Sequence, residues 1–243
     1  MTVRVEIGVE SVGGVAVAAR GGVERIELCA ALGDGGLTPS AGLIEQAVAS
    51  AGRTEVHVLV RPRPGDFRYT ANEVAVMRRD IALARELGAA GVVFGVLNAG
   101  GGVDDACADL LETAGDLETT FHRAIDVSAN SVRALDRVVE LGFTRVLTSG
   151  RARFALDGAD LIRELNDRAA GRVQVMACGG VRAGNAGEVL ARTGVRDLHA
   201  AVRIPVRGAA DPLFTAMGVP EGFDRFDTDI GGIAALRAVA LSA

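Results

Sequence analysis

One repeated phrase constrains what this chain can fold into: a helical stretch runs into a glycine, and a short β-rich run begins within a few residues. The glycines are Gly22, Gly52, Gly88, Gly115, Gly142, Gly171 and Gly194, each where a helix can stop in a left-handed cap. The runs beside them are RVEIG (4–8), RIELC (25–29), VHVLVR (56–61), GVVFGVL (91–97), LETTFH (117–122), TRVLTSG (144–150), VQVMACG (173–179) and VRDLHAA (195–201). Eight strands thus alternate with seven helical stretches, and an eighth stretch, DIGGIAALRAVALSA, follows near the C-terminus. Strict β–α alternation at this spacing means parallel strands.

Eight such units in 243 residues predict a (β/α)8 TIM barrel, a single domain over 1–243 with its active-site mouth at the C-terminal ends of the strands. An open doubly wound sheet usually has fewer strands and a glycine fingerprint at its first turn. No G-x-G-x-x-G follows the first strand, and no nucleotide cofactor is predicted. An internal echo supports the repeat: RELGAAGVVFGVL (85–97) resembles VELGFTRVLTSG (139–150), two units later. The segment 203–228 holds three of the six prolines and reads as a long loop or lid after the last strand.

Composition narrows the partners. With 49% hydrophobic and 23% charged residues the chain is globular rather than disordered. A net charge of −5 argues against nucleic acid and anionic membrane as partners, since both need a basic surface. The first ten residues carry Arg4, Glu6 and Glu10, leaving no apolar signal core, and no apolar run approaches the ~18–20 residues of a span. A cytoplasmic location is the expectation. Cys29, Cys107 and Cys178 are odd in number and widely spaced, which fits free thiols rather than disulfides or a structural zinc site.

Alternation along barrel strands points every second residue into the barrel. If Val3, Val5 and Ile7 face the helices, then Arg4, Glu6 and Gly8 face inward, as do Glu27 and Cys29, His57, Leu59 and Arg61, Thr120 and His122, and Asp197 and His199. Such charges could be buried plugs, with Glu6 paired to Arg61, Glu27 to Arg63, and His57 a hydrogen-bonded core histidine. Removing several charges from water is costly unless every partner is satisfied. A cluster at the C-terminal mouth therefore reads as functional.

Three loops add to it. RPRPGDF (61–67) brings Arg61, Arg63 and Asp66 on a proline-stiffened loop. HRAID (122–126) offers His122 for acid–base work, Arg123 for an anion and Asp126 as an orienting carboxylate. CGGVRAGNAGE (178–188) opens a helix with Gly179, Gly180 and Arg182, whose exposed N–H groups could hold a phosphate or carboxylate. LTSG (147–150), with Ser149 and Gly150, and His199 join it.

At RIELCAALGDGGLTPS (25–40), VHVLVRPRPGDFRYT (56–70), TTFHRAIDV (119–127), RVLTSG (145–150), GGVRAGN (179–185) and DLHAA (197–201) the chain resembles the CutC copper homeostasis family, in order and over nearly its whole length. The resemblance implies a single barrel with a short or incomplete helical ring, a cytoplasmic location, homodimers or higher homo-oligomers, and an association with copper. It places Glu27, Cys29, Arg61, Arg63, Asp66, His122, Arg123, Asp126, Ser149, Gly150, Gly179, Gly180, Arg182, Asn185 and His199 on signature positions.

Two functions follow. In one, Cu(I) is bound in copper homeostasis. Cu(I) prefers thiolate or thioether ligands, so Cys29 at a strand mouth is the natural ligand, and Cys178, where the family commonly has glycine, could join it with His122 or His199. Cys107 lies on an outer helix and reads as packing. In the other, the chain is an enzyme of lyase, aldolase or isomerase type acting on a small anionic or phosphorylated metabolite. Glu27 would be its general base, His122 an acid or base oriented by Asp126, and Arg61, Arg63 and Arg123 an anion clamp. The chain has no lysine, which excludes a Schiff-base mechanism. Asp66, Asp126, Glu6 and Glu27 could alternatively hold a hard divalent cation.

Overall fold

The eight runs close on themselves. In a computed structural model that describes residues 2–206 and 225–243, the strands are β1 (Arg4–Val9), β2 (Arg25–Leu28), β3 (Glu55–Leu59), β4 (Gly91–Phe94), β5 (Glu118–Phe121), β6 (Arg145–Thr148), β7 (Gln174–Ala177) and β8 (Asp197–Ala200). They form a closed barrel in sequence order, with β8 pairing in parallel with β1. The helices are α1 (Val12–Arg20), α2 (Ala41–Ser50), α3 (Ala71–Glu86), α4 (Ala106–Ala114), α5 (Ser131–Leu141), α6 (Ala159–Ala169), α7 (Ala183–Thr193) and α8 (Ile230–Ser242). The helical ring is not incomplete: each helix packs on its neighbours, and α8 closes the circle between α7 and α1.

Local signals explain the boundaries. Thr70 accepts from the Glu73 N–H while Glu73 reaches back to the Thr70 backbone, a reciprocal cap that starts α3. Asn130 caps α5, and Gly142, at φ 86°, ends it by donating to the carbonyls of Val138 and Val139. The buried face of α5, Ala134, Leu135 and Val138, repeats at helical spacing and packs on the barrel.

Two layers result. Val3, Val5, Ile7 and Val9 belong to one continuous apolar core between strands and helices. Inside the barrel, parallel register sets Glu6 beside both Arg25 and His199. Glu6 pairs with Arg25 at 2.5 Å, not with Arg61, because Arg25 shares the inward face of β2 with Glu27 and lies directly across from it. Arg25 also reaches Asp197 at 2.9 Å. Arg145 continues the network to Asp197 at 3.7 Å, to Glu118 at 2.9 Å and to Gln174 at 2.9 Å.

His57 sits in this layer fully buried, but it is not the hydrogen-bonded histidine expected. Neither ring nitrogen has a hydrogen-bond partner among the described residues, and Nε2 lies 3.7 Å from a Glu118 oxygen. Burial lowers its pKa to about 3, so the ring is neutral. Above the charged layer the barrel is filled by Cys29, Leu59 and Val93 on one side and by Leu147, Met176 and Cys178 on the other.

The segment after β8 is not loop throughout. Its ends form an antiparallel ribbon, β9 (Arg203–Val206) with β10 (Arg225–Thr228), and β10 packs against α1. The remainder of that expected lid, 207–224, lies outside the described residues.

Candidate functional site

The C-terminal mouth opens into a cavity of about 250 Å³ lined by Glu27, Arg61, His122, Arg123, Cys178, Gly179, Gly180, Arg182 and His199, with Leu32, Leu59 and Phe67 among its apolar walls.

Glu27 ends β2 facing this cavity. Its side chain is 8% exposed and, among the described residues, makes no hydrogen bond and has no arginine partner. Burial pushes its pKa up to about 7, partly offset by His199 and reinforced by Glu6. The His199 ring stands between the two carboxyls, Nδ1 at 2.7 Å from Glu6 and Nε2 at 3.9 Å from Glu27. Burial disfavours the charged imidazole, but Glu27 and Glu6 outweigh it and raise the pKa of His199. Burial alone would raise Glu6, yet Arg25 and His199 hold it well below the ordinary carboxylate range. Glu6 therefore stays ionised and fixes a proton on Nδ1, leaving Nε2 and Glu27 to share a second proton near neutral pH.

His122 plays a different part from the one expected. Its Nδ1 accepts from the Ala124 N–H at 3.2 Å, which leaves the proton of the neutral ring on Nε2. The ring packs on Phe67, centroids 4.6 Å apart, and burial together with the charge of Arg61 lowers its pKa to about 3. It is a neutral hydrogen-bond donor. No hydrogen bond joins it to Asp126, because that carboxylate is taken up elsewhere: it accepts from Thr148 Oγ1 (2.6 Å), from Ser149 Oγ (3.0 Å), from the N–H groups of Ser149 and Arg151, and from Arg123 Nε (3.0 Å).

The arginines divide. Arg63 points away from the cavity, held by Glu73 (2.6 Å) and Asp66 (3.0 Å) and stacked over Tyr69, so neither Arg63 nor the exposed Asp66 lines the mouth. Arg123 lines it, but donates to Ser149 Oγ at 2.6 Å besides Asp126. Arg61 is 6% exposed, lies over Phe67, and donates to the carbonyls of Asp34, Gly36 and Gly65. No carboxylate among the described residues pairs with it, and its Nε has no partner. Its charge is buried without a counter-ion among the described residues.

The glycine turn after β7 is built for approach. Gly179 and Gly180 adopt φ of 97° and 68°, and a Cβ on Gly180 would lie 2.7 Å from the Phe154 ring. Among the described residues their N–H groups donate to no protein acceptor, while Asn185 holds the turn from Gly180 O to the Arg182 N–H. Arg182, the N-cap of α7, faces the cavity without a carboxylate partner among the described residues. Gly150 is structural, since a Cβ there would meet the Gly158 carbonyl at 2.2 Å, and Ser149 is fully buried.

The thiols are apart in environment. Cys29 donates to the Val9 carbonyl at 3.6 Å among Leu59 and Val93, and Cys178 lies beside Leu147 and Met176. Burial raises both thiol pKa values far above the ordinary range, so both are protonated. Among the described residues the clusters of three or more potential metal ligands are Glu6, Glu27 and His199, and Glu55, His57 and Glu118; neither contains a cysteine. Cys107 is buried on α4, its pKa raised to about 12 by burial.

The residues that sequence reading left out are Arg25, Glu118 and Arg145, which occupy inward positions of β2, β5 and β6, and Phe67, which walls the cavity from a loop. The same alternation that marked Glu27 and His122 reaches the three charged ones; nothing in the alternation reaches Phe67.

The chain is similar to known proteins in sequence and fold. The CutC family model matches residues 3–204. A CutC protein of Caulobacter vibrioides is 44% identical over 243 residues, covering 98% of each chain, and one of Porphyromonas gingivalis is 45% identical, covering 84% of this chain and 82% of its own. Among solved structures, CutC of Streptococcus agalactiae, assigned provisionally to copper homeostasis, superposes with a TM-score of 0.76 at 32% identity, covering 81% of this chain and 97% of its own. A thiamine phosphate pyrophosphorylase from Pyrococcus furiosus, 15% identical with a TM-score of 0.61, shares the fold. The chain belongs to the CutC family.

Proposed function

We propose that the barrel mouth is an enzyme site that moves a proton on a small anionic metabolite. The observation that carries this reading is a separation of charge: among the described residues Arg61 is buried without a carboxylate and Glu27 without an arginine, although both line one cavity. A structural plug would pair them; a ligand site keeps them apart for a bound group. An anion would sit between Arg61, Arg182 and the open N–H groups of Gly179 and Gly180. Glu27, with a pKa of about 7, suits general acid–base work near neutral pH. His199 stores the partner proton, and Nε2–H of His122 can polarise a carbonyl or hydroxyl oxygen. Isomerisation, elimination or aldol cleavage through an enolate fits these groups, without a Schiff base because there is no lysine.

The test is a thermal-shift screen of small phosphorylated and carboxylated sugars, with hits followed by NMR for C–H exchange in D2O. Wild type is expected to exchange a ligand proton, while Glu27→Gln binds the same compound without exchange. Absence of any anionic hit, or equal exchange in Glu27→Gln, would overturn the reading.

A second reading rests on sulfur. Cys178, which lines the cavity, packs with Met176 beneath it, and the relative from Streptococcus agalactiae carries a provisional copper homeostasis assignment. In that reading Cu(I) displaces the thiol protons and is held by Cys178 and Cys29 with a mouth histidine. A Cu(I) titration against a competing chelator, beside Cys29→Ser and Cys178→Ser, decides it: tight binding lost in either variant supports copper, and equal curves for all three exclude it. The family resemblance supports a cytoplasmic homo-oligomer as part of this proposal; among the described residues no helix is long and apolar enough to cross a membrane.

A further inference from the structure

A second cluster of chemistry-bearing side chains lies at the opposite end of the barrel. Glu55 opens β3, His57 follows on the same inward face, and Glu118 opens β5. Between them on β4 is Gly91, where a Cβ would lie 2.5 Å from His57 Cε1. The missing side chain lets the imidazole lie across β4 toward β5. One ligand atom from each of Glu55, His57 and Glu118 falls within 4.8 Å of the others. His57 is fully buried with both nitrogens unpartnered among the described residues, and a buried polar group left unsatisfied is destabilising until something binds it.

We propose that Glu55, His57 and Glu118 form a binding site for a borderline divalent cation of the Zn²⁺ type at the N-terminal end of the barrel, separate from the mouth. One imidazole nitrogen and two carboxylate oxygens are a mixed donor set that Zn²⁺ accepts, with water completing the shell; Cu(I) prefers sulfur and Ca²⁺ or Mg²⁺ prefer oxygen. Ligand atoms around a tetrahedral ion with bonds of about 2.0–2.2 Å lie about 3.4 Å apart, and the His57–Glu118 separation is 3.7 Å. Arg4 holds Glu55 through Oε2 at 2.8 Å and Arg145 holds Glu118 through Oε2 at 2.9 Å. The Glu118 oxygen that Arg145 holds is the one 3.7 Å from His57 Nε2, so it would serve both, as the two lone pairs of a carboxylate oxygen allow, and the arginines orient the carboxylates from outside the coordination shell. Their charges also weaken the site, so micromolar affinity is expected. The carboxylate side chains are 38% and 39% exposed, which gives an ion a route from solvent. A bound ion would tie β3 to β5 across β4.

The test uses the full-length protein stripped with a chelator and titrated with Co²⁺, read by its visible absorption, then displaced with Zn²⁺. Wild type is expected to bind one equivalent that is weakened about tenfold or more in Glu118→Gln and Glu55→Gln and unchanged in Glu27→Gln; Zn²⁺ raises the Tm of wild type but not of Glu118→Gln. Both glutamine variants replace half-exposed side chains, and circular dichroism confirms that they fold. No binding at about 0.1 mM metal, well above the micromolar affinity expected of a weakened site of this kind, overturns the proposal. So does binding lost in Glu27→Gln but kept in Glu118→Gln, which would assign the ion to the mouth.

Discussion

Two charged layers only a few ångströms apart along the same barrel behave oppositely. In the middle layer Glu6, Arg25, Asp197 and Arg145 are joined in a chain of opposite charges, with Glu118 at its lower end. At the mouth, Glu27 and Arg61 are almost as buried, yet among the described residues no carboxylate pairs with Arg61 and no arginine with Glu27, whose nearest cation is the His199 ring at 3.9 Å. Burial is therefore not what distinguishes structure from site in this molecule; pairing is. Desolvating a charge costs several kcal/mol, which a good partner can offset. A charge left unpaired at a cavity keeps that cost in place until a ligand relieves it.

The largest expected effect tests the paired layer. Arg25→Met removes the partner of two buried carboxylates, Glu6 and Asp197, and should cost about 3–5 kcal/mol in chemical denaturation. A loss below about 1 kcal/mol would mean that the network is not held by pairing.

Next comes the unpaired layer, where the sign reverses. Folded Glu27 keeps its proton up to about pH 7, whereas the unfolded chain releases it near 4.5. The folded state thus binds more protons between those values, and this group's contribution to stability falls as pH rises through that window. Glu27→Gln should stabilise by roughly 3 kcal/mol at pH 8 and remove that decline. His57 and His122, lowered from 6.5 to about 3, act the other way: the unfolded chain takes up protons first, so stability drops as pH falls from about 6.5 toward 3. Denaturation midpoints at pH 4, 6 and 8 for wild type and Glu27→Gln separate the two. A variant no more stable than wild type at pH 8 would break the contrast between the layers.

Arg182→Gln sharpens it further. This arginine has no carboxylate to lose among the described residues, so stability should stay within about 0.5 kcal/mol. Inorganic phosphate binding, measured by calorimetry, should weaken about tenfold, the worth of one charge-assisted contact. Unchanged phosphate binding would remove Arg182 from the anion site.

Strand order, barrel closure and the inward phase were legible because a period of two and glycine-ended helices follow from local sterics. That phase faces Glu27, His122 and His199 inward, and all three line the cavity. It could not show which inward charges meet, since Glu6 finds Arg25 only through the β1–β2 register. Nor could it show where loop side chains turn: Arg63 and Asp66 leave the cavity because Glu73 and Tyr69 hold Arg63 outside, and Asp126 turns to the Thr148–Arg151 turn rather than to His122. The strands ending the 203–228 segment pair with each other across 18 or more residues, beyond the reach of local pattern. Ligand identity depends on a cavity assembled from seven or more separate stretches, which no spacing encodes.

The central claim is that Glu27, without an arginine partner among the described residues, is a carboxyl tuned for proton transfer. The most direct measurement is a carboxyl ¹³C NMR titration of the glutamate-labelled protein, with the Glu27 resonance assigned by its loss in Glu27→Gln. The account predicts a midpoint near pH 7. A midpoint near the ordinary 4.5 would contradict it, and would return the barrel mouth to a solvated rim with no acid–base role.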